Sequence, residues 1–490
     1  MEHLTPLDAL FLDAEDVDRH ASLAIASVAV VEGPPPSHAE FVAAVRGRLP
    51  RVPRYRQKVR RLPLDLGNPV WVDDRRFDLA YHVRRTALPA PGDEAALCRL
   101  IARIMSQRLD RDRPLWECWV IEGLADGRWA VLSKVHHCMA DGISGNELYR
   151  IVFDESPEPG CPVADIWHPE PEPSTIQLTL GALARNPVDQ LSLLWQGVRS
   201  PSLLAKRFTV TVRGLAELAG VLVPVAKSSL VGSIGQQRRY GLARASLASV
   251  VEVAKANRVT VNDVLLAAVT GAFRSLLLRR GEPPTADAVR TLVPVSVRAA
   301  GDEGIVDNRI SLMLPLLPVE IDDAVDRLRE VHTRLAALKA SNEAEAGEAM
   351  TTLARHEPFA PISAAIRMVA RLPHRNLVTV TTNVPGPRRP LYALGRRIIE
   401  MFPYVPIAVR LRTGISALTY DGQMCFGVTS DYDTGPEADR LARDIADGIA
   451  ELLDRTRPTP ARTRRTPARP AATSRRRGRT SLAQGASGPA

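Results

Sequence analysis

VHHCMADG at residues 135–142 places two adjacent histidines at the predicted end of a β-strand and an aspartate four residues after the second histidine. Successive side chains of a strand point to opposite faces, so His136 and His137 cannot both line one cleft. An imidazole with an ordinary pKa of about 6.5 is mostly neutral near pH 7 and can accept a proton from a hydroxyl group. The pattern favours general-base chemistry at one histidine and a structural role at its neighbour.

The flanking residues predict a strand–turn–helix junction around this stretch. Residues 116–124 are rich in aromatic and β-branched side chains, residues 125–127 (ADG) form a turn signal, and residues 128–135 resume an extended apolar pattern. Ser144 and Glu147 have the spacing of a capping box and precede apolar residues at helical intervals. We therefore expect a β-hairpin whose second strand carries the histidines, followed by a helix.

Sequence alone leaves other interpretations of the histidine pair open. Two histidines that end a buried strand are as consistent with a hydrogen-bonded core pair as with a catalytic one. No metal site is expected, because nothing nearby completes a set of His or Cys ligands. An acyl-cysteine intermediate at Cys138 would need a thiol with a lowered pKa, for which the sequence offers no evidence.

The stretch HHCMADG matches the HHxxxDG signature of coenzyme A-dependent acyltransferases, a superfamily that includes chloramphenicol acetyltransferase and the condensation domains of peptide synthetases. From about residue 4 to about residue 454, further segments resemble, in chain order, the bacterial wax ester synthase/diacylglycerol acyltransferase family. They are LTPLDA at 4–9 with Phe11-Leu12, PLWE at 114–117, VNDV at 261–264, PVSVR at 294–298, Asn308-Arg309 and NVPGP at 383–387. The resemblance implies an α/β (α+β) fold of two chloramphenicol-acetyltransferase-like domains with mixed sheets, joined by a helical linker, with the site in a tunnel between them.

Carried over to this chain, the resemblance also implies roles for individual residues. His137 is expected to be the general base and Asp141 to be mainly structural, because the aspartate of this superfamily usually bonds an arginine. Our candidate for that arginine is Arg298, at the end of a predicted strand, and Ser296 in the same segment is a candidate site-shaping residue. Gly142 is predicted to adopt a positive φ or to allow a close backbone approach.

Two more motifs have both a structural and a functional interpretation. Asn262 and Asp263 precede a helical pattern of apolar residues that ends near Gly281, so either could cap that helix. The resemblance adds that this pair shapes the active site. Pro114-Leu115-Trp116 is most simply the buried start of a strand, and its functional interpretation is a wall of the substrate channel.

Composition predicts a globular protein with a sizeable core. The chain has 490 residues, enough for two or more domains, with 45% hydrophobic and 24% charged residues. Five cysteines without CxxC spacing, and an N-terminus without a signal sequence, indicate the reducing cytoplasm. No window holds 18 uninterrupted apolar residues, and the best candidate, residues 215–226, is broken by Glu217 and Pro224. We therefore expect no membrane-spanning helix.

The net charge of +9 comes from the end of the chain. Residues 455–490 hold ten arginines and no acidic residue, so the rest of the chain carries a net charge of −1. This segment cannot bury enough apolar surface to fold alone. It is either a solvated disordered extension or an element that binds anionic lipid, and nucleic-acid binding is a third interpretation.

Composition shifts divide the chain into four parts. We predict a domain carrying HHxxxDG at residues 1–175, a helical linker at 176–232, a second acyltransferase-like domain at 233–454 and the basic tail at 455–490. The Pro/Glu-rich residues 155–173 predict an exposed linker. The elements predicted for the second domain are helices at 246–257, after Asp263 and at 322–340, strands at 291–297, 309–314 and 376–383, and a hairpin of 414–420 with 423–429.

A second basic cluster lies near the N-terminus. Residues 54–61 contain five basic side chains, namely Arg54, Arg56, Lys58, Arg60 and Arg61. They form either a solvated face or a site for the phosphates of coenzyme A. The sequence has no Walker loop and no glycine-rich dinucleotide motif, so phosphate binding would depend on such basic side chains.

The resemblance implies an O-acyltransferase that moves a long fatty acyl group from acyl-coenzyme A to diacylglycerol or a long-chain alcohol, forming triacylglycerol or wax ester. Acyl-coenzyme A is then a co-substrate, and no other cofactor is expected. The expected location is the cytoplasm, in peripheral contact with the inner membrane or lipid droplets, without a specific nucleic-acid partner. The alternatives are a polyketide-associated or condensation-type acyltransferase with another donor or acceptor, and a noncatalytic lipid-binding or lipid-droplet protein. Oligomeric state stays open.

Overall fold

Two six-stranded mixed β-sheets form the framework of the computed structural model, which describes residues 2–63, 67–139, 152–180, 228–296, 310–340, 377–408 and 410–457. The mixed α/β fold predicted from the sequence is confirmed. Most of the predicted helical linker and almost all of the predicted basic tail lie outside the described residues.

The regular elements are numbered in chain order. The strands are β1 (Ala24–Val31), β2 (Gln57–Arg60), β3 (Val70–Asp73), β4 (Val83–Ala87), β5 (Trp116–Glu122), β6 (Trp129–His136), β7 (Arg238–Ser246), β8 (Thr291–Ser296), β9 (Ile310–Met313), β10 (Thr379–Val384), β11 (Tyr392–Ala393), β12 (Arg396–Tyr404), β13 (Thr413–Tyr420) and β14 (Gln423–Asp431). The helices are α1 (Pro6–Val17), α2 (His38–Arg48), α3 (Leu79–His82), α4 (Glu94–Met105), α5 (Leu247–Asn257), α6 (Val261–Arg279), α7 (Ala324–Ala340) and α8 (Ala438–Thr456).

The first sheet carries the histidines and has the strand order β11-β12-β1-β6-β5-β4. Strand β12 comes from the C-terminal half of the sequence and pairs antiparallel with β1, with Val28 opposite Phe402. On its other side β1 pairs with β6, with Ala24 opposite His136. A strand from the predicted second domain therefore completes the sheet of the first, while the predicted domain boundaries stay a prediction.

The second sheet has the order β7-β14-β13-β10-β8-β9, and β10 pairs parallel with both β13 and β8. Helix α8 packs on β7, β14 and α6. Helix α6 is long and apolar enough to cross a membrane, but 67% of its apolar window is buried inside the protein. This burial is typical of a core helix that is apolar on most of its faces.

Most local predictions are confirmed within a few residues. The predicted hairpins are β5 with β6 and β13 with β14, and the predicted helices at 246–257 and 322–340 are α5 and α7. The cap of α6 needs a correction, because its N-cap is Thr260. Asp263 accepts the Thr260 backbone N–H as the third residue of a capping box, and Asn262 lies inside the helix. The helix predicted after Ser144 lies outside the described residues.

Candidate active site

The histidine pair lies where β6 ends. His136 is the last residue of the strand, and its backbone N–H donates to the carbonyl of Leu115 at 2.9 Å. His137 begins a 3₁₀ turn that extends to Met139, and its N–H donates to the carbonyl of Leu23 at 3.0 Å. Backbone hydrogen bonds to Leu115 and Leu23 therefore fix the backbone position of the two histidines.

Helix α1 supplies one side chain to each imidazole. The ring of Phe11 stacks on the ring of His137, with centroids 3.8 Å apart and planes 20° apart. One turn later, Oε1 of Glu15 lies 3.7 Å from Nε2 of His136. Side chains four residues apart share a face of a helix, so a single helix face orients both histidines.

Glu15 is a buried carboxylate with several partners. Its side chain is 1% exposed, Oε1 accepts the N–H of Leu23 at 2.9 Å, and Arg111 donates to Oε2 at 2.5 Å. Burial raises the pKa of Glu15, but His136, Arg111 and the Leu23 N–H lower it by more, and the resulting pKa is about 2. Glu15 is therefore ionised at neutral pH.

His136 is the buried member of the pair. Its side chain is 1% exposed, and Nδ1 accepts the backbone N–H of Cys138 at 3.2 Å. Because Nδ1 is an acceptor, we assign the ring hydrogen to Nε2, which faces Glu15. Burial lowers the pKa of His136, and Glu15 only partly opposes that shift. The ring is thus held as a neutral imidazole between the turn and Glu15.

His137 has the properties of a neutral base. The residue is partly exposed, and its buried Nδ1 has no hydrogen bond to another of the described residues. Burial, followed by the influence of His136, lowers the pKa of His137 to about 4. The imidazole is therefore unprotonated at neutral pH, as a general base must be before it accepts a proton.

The structure argues against a thiol nucleophile in this motif. Cys138 is 1% exposed. Burial and, to a smaller extent, Asp8 raise the pKa of its thiol well above the usual range. Attack on a thioester requires a thiolate, which this environment disfavours. The acyl-cysteine alternative is therefore not supported.

The segment Pro114-Leu115-Trp116 is buried at the start of β5, which confirms its structural interpretation. The indole N–H of Trp116 donates to the carbonyl of Tyr55 at 2.8 Å. The ring of His82 stacks on Trp116 at 4.6 Å, and its Nδ1 lies 2.8 Å from the Trp116 carbonyl oxygen. The Leu115 carbonyl joins this segment to His136, but its role as a channel wall stays a prediction.

The Asn262-Asp263 pair lies on another helix. Asp263 is 2% exposed, and within the described part of the chain its Oδ2 contacts the Thr260 N–H at 2.8 Å and Nδ1 of His332 at 2.8 Å. These bonds support the start of α6 and link it to α7. Its site-shaping role stays a prediction.

The remaining predicted site residues are not tested by the geometry. Ser296 ends β8 opposite Ile310 of β9. Asp141, Gly142 and Arg298 lie outside the described residues. The predicted bond between Asp141 and Arg298 stays a prediction.

Sequence reasoning missed Glu15, Arg111 and Lys134. Lys134 is two residues before His136 and is 1% exposed, and its Nζ donates to the carbonyls of Ile104 at 3.0 Å and Gln107 at 2.7 Å. Burial lowers the pKa of Lys134 to about 8. Glu15 lies one helical turn after Phe11, and Lys134 lies two strand positions before His136 and so on the same face of the strand. Neither spacing shows which residues pack against them.

The basic cluster at residues 54–61 is paired with acidic groups. Arg56 donates two hydrogen bonds to Asp165 at 2.8 and 2.6 Å. Nζ of Lys58 lies 3.1 Å from Glu172. Residues 154–180, which we call the acidic strap, thus lie against this cluster. The strap holds six acidic residues and no lysine or arginine. These pairings weaken the interpretation of the cluster as a coenzyme A phosphate site.

Comparison with known families gives matches to both parts of the chain. Residues 4–265 match the wax ester synthase/diacylglycerol acyltransferase catalytic domain, and residues 306–453 match the C-terminal domain of the same family. A relative from Mycobacterium tuberculosis, named as a probable diacylglycerol O-acyltransferase, is 46% identical over 454 residues, which is 92% of this chain and 96% of that protein.

Solved structures agree with this assignment. The wax ester synthase/diacylglycerol acyltransferase of Marinobacter aquaeolei superposes with a TM-score of 0.67 at 26% identity, covering 93% of this chain and 100% of that one. A starter condensation domain of rhizomide synthetase in complex with C8-CoA shares the fold, with a TM-score of 0.54 at 16% identity over 92% of this chain and 95% of that one. The chain is therefore an acyltransferase that belongs to the wax ester synthase/diacylglycerol acyltransferase family.

Proposed function

We propose that this acyltransferase moves a long-chain fatty acyl group from acyl-coenzyme A to diacylglycerol, and that it also accepts long-chain alcohols. The observation that supports the chemistry is the neutral imidazole of His137, which stacks on Phe11 directly after β6 and belongs to a residue that is not fully buried. The names of the relatives support diacylglycerol as the acceptor. Acyl-coenzyme A is a co-substrate, and no other cofactor is required by this reaction.

The reaction balances with His137 as the proton carrier. Its imidazole accepts the hydroxyl proton while the hydroxyl oxygen attacks the thioester carbonyl carbon. The tetrahedral intermediate then collapses, the carbon–sulfur bond breaks, and the imidazolium returns the proton to the leaving thiolate. The products are the ester and coenzyme A. General-base assistance of this kind contributes roughly 10²- to 10⁴-fold in rate.

The residues around His137 hold it in position for this step. Phe11 sets the plane of the ring, and the Leu23 carbonyl fixes the backbone of His137. Glu15 accepts the N–H of that same Leu23 residue, so the buried carboxylate supports both histidines. In this proposal Asp141 has the structural role that the family resemblance implies, Arg298 is its candidate partner, and Gly142 and Ser296 help to shape the site.

The substrates also support a location. Diacylglycerol and long-chain alcohols are held in lipid phases rather than in water, so the enzyme must work at a lipid surface. We infer peripheral association with the inner membrane or with lipid droplets, on the cytoplasmic side. No specific nucleic-acid partner is part of this proposal.

A labelled acyl-coenzyme A, offered with diacylglycerol and hexadecanol in competition, tests the proposal. The wild-type protein should form triacylglycerol and wax ester, and His137→Ala should lower kcat by roughly 10²- to 10⁴-fold. Cys161→Ser, at an exposed position of the strap, is the control and should keep full turnover. Ester formation from a carrier-protein thioester alone would favour a condensation-type activity. Lipid association without any ester product would favour a noncatalytic lipid-binding protein.

A further inference from the structure

Exposed apolar side chains are concentrated on the acidic strap. Among the described residues, seven large hydrophobic side chains are exposed, and four of them lie between residues 163 and 180. Their exposed fractions are 41% for Val163, 83% for Ile166, 71% for Ile176 and 60% for Leu180. Single exposed hydrophobic residues are normal, but a concentration along one segment is typical of an interaction surface.

The strap is anchored to the protein on both sides of its most exposed side chain. Asp165 and Trp167 both contact the buried Arg56, Asp165 through two hydrogen bonds and Trp167 through a ring centroid 4.8 Å from the guanidinium carbon. Ile166 lies between these two anchors and is the most exposed of the four. The segment is therefore held to the protein by its neighbours and not by Ile166 itself.

The helical residues at 175–180 also combine a buried anchor with exposed apolar side chains. Leu178 is 5% exposed and packs with Leu62, Val70 and Val72. Ile176 and Leu180 are four residues apart and share a helix face, whereas Leu178 falls on the other side. One face is thus used for anchoring, and the two exposed side chains lie together on the opposite face.

The charge of the strap indicates which kind of surface it can bind. The strap has six acidic residues and no lysine or arginine to pair with an anionic lipid headgroup. Three of its acids, Asp154, Asp165 and Glu172, are paired with Arg48, Arg56 and Lys58 of the protein body. Four side chains that are 41–83% exposed offer a small apolar area beside the ~800 Å² per partner that a stable dimer interface buries. An uncharged apolar surface fits these properties better than an anionic membrane or a second copy of the chain.

We propose that the acidic strap docks the enzyme on an uncharged lipid surface, with Ile166, Ile176 and Leu180 inserted among acyl chains. The inference rests on the proposed function, since it names the element that brings the enzyme to its lipid substrates. Partial insertion of apolar side chains at a lipid interface supplies affinity in proportion to the apolar area buried.

Flotation of the full-length protein with phosphatidylcholine-coated triacylglycerol droplets, at high salt, tests the proposal. High salt screens electrostatic binding by the basic tail. The variant Ile166→Ser/Ile176→Ser should lower the partition coefficient by about tenfold or more. Leu278→Ser, which removes a side chain that is 53% exposed on α6, should bind as the wild type does. Ile166→Trp should bind more tightly while unfolding at the same urea concentration as the wild type, so that the gain does not come from exposed core residues.

A turnover assay in detergent micelles distinguishes loss of droplet binding from loss of catalysis. If the double variant loses droplet binding but keeps micellar turnover, the strap is the docking element. The proposal is wrong if the double variant and Leu278→Ser bind equally, or if the wild type binds only after phosphatidylglycerol is added. It is also wrong if the wild type turns over substrate in micelles but never binds droplets. Absence of turnover in micelles would contradict the proposed function instead.

Discussion

Oε1 of Glu15 lies 3.7 Å from Nε2 of His136, and neither side chain is more than 1% exposed. The same oxygen accepts the N–H of Leu23, whose carbonyl accepts the N–H of His137. One buried carboxylate therefore supports His136 directly and the proposed base through one peptide unit. Because α1 also supplies Phe11, the N-terminal helix contributes to the candidate site as well as to the core.

Glu15→Gln should destabilise the protein by roughly 1–3 kcal/mol, because Arg111 and His136 lose their anionic partner in a buried position. Turnover should fall as well, since the backbone next to His137 loses part of its support. Urea unfolding measures the first effect, and kcat in micelles the second.

The control is Asp16→Asn. Asp16 is 48% exposed and also pairs with Arg111, at 3.5 Å. An exposed ion pair contributes at most about 1 kcal/mol. Equal losses of stability in Glu15→Gln and Asp16→Asn would show that burial of Glu15 has no special importance.

The stabilising effect of Glu15 should depend on pH. Its pKa in the folded protein is about 2, lowered from an ordinary value of 4.5. A carboxyl group with a lowered folded pKa contributes stability above its unfolded pKa and loses that contribution as the pH falls through the folded pKa. The difference in unfolding free energy between wild type and Glu15→Gln should be constant above pH 4.5 and shrink between 4.5 and about 2. A difference that stays unchanged across this window would contradict the assigned pKa.

Local elements were predictable, but their partners were not. The β5–β6 hairpin has aromatic and β-branched strands around an Ala-Asp-Gly turn, and α5 has Ser246 as its N-cap, so both follow from short-range chemistry. Strand β12 was not predicted, and its partner β1 is more than 360 residues away in the sequence. A local sequence pattern does not indicate which strands pair with each other.

The candidate site shows the same difference between local and long-range information. His137 could be proposed as the base because the HHxxxDG signature is contiguous, whereas Glu15 lies in the acidic run DAED, a pattern typical of solvated residues. Its importance appears only when α1 packs on the turn after β6. Arg56 and Lys58 were ambiguous for a similar reason, because their acidic partners Asp165 and Glu172 follow more than 100 residues later.

The activity of the enzyme should resist mild acid. The pKa of His137 is about 4 in the folded protein, lowered from 6.5 by burial, so the ring stays neutral well below pH 6.5. Since kcat/KM reports the pKa of the free enzyme's base, its acidic limb should lie near pH 4. Rates in micelles should therefore change little between about pH 5 and 7. An acidic limb centred near 6.5 would mean that the base has an ordinary environment and would contradict this placement of His137.

Phe11→Leu should slow catalysis more than it weakens substrate binding. Leucine keeps an apolar side chain over His137 but removes the flat face that stacks on the imidazole at 3.8 Å. If the imidazole leaves its productive orientation, kcat should fall by about tenfold and KM should stay nearly unchanged, because positioning acts on the chemical step.

The matched control is Phe77→Leu, which removes a phenyl ring stacked at 5.3 Å on His82, a histidine outside the motif. Both variants should lose folding stability to a similar extent, of about 1 kcal/mol. Only Phe11→Leu should lower kcat. An equal fall of kcat in Phe77→Leu would show that loss of packing, and not loss of the stacked ring, slows the reaction.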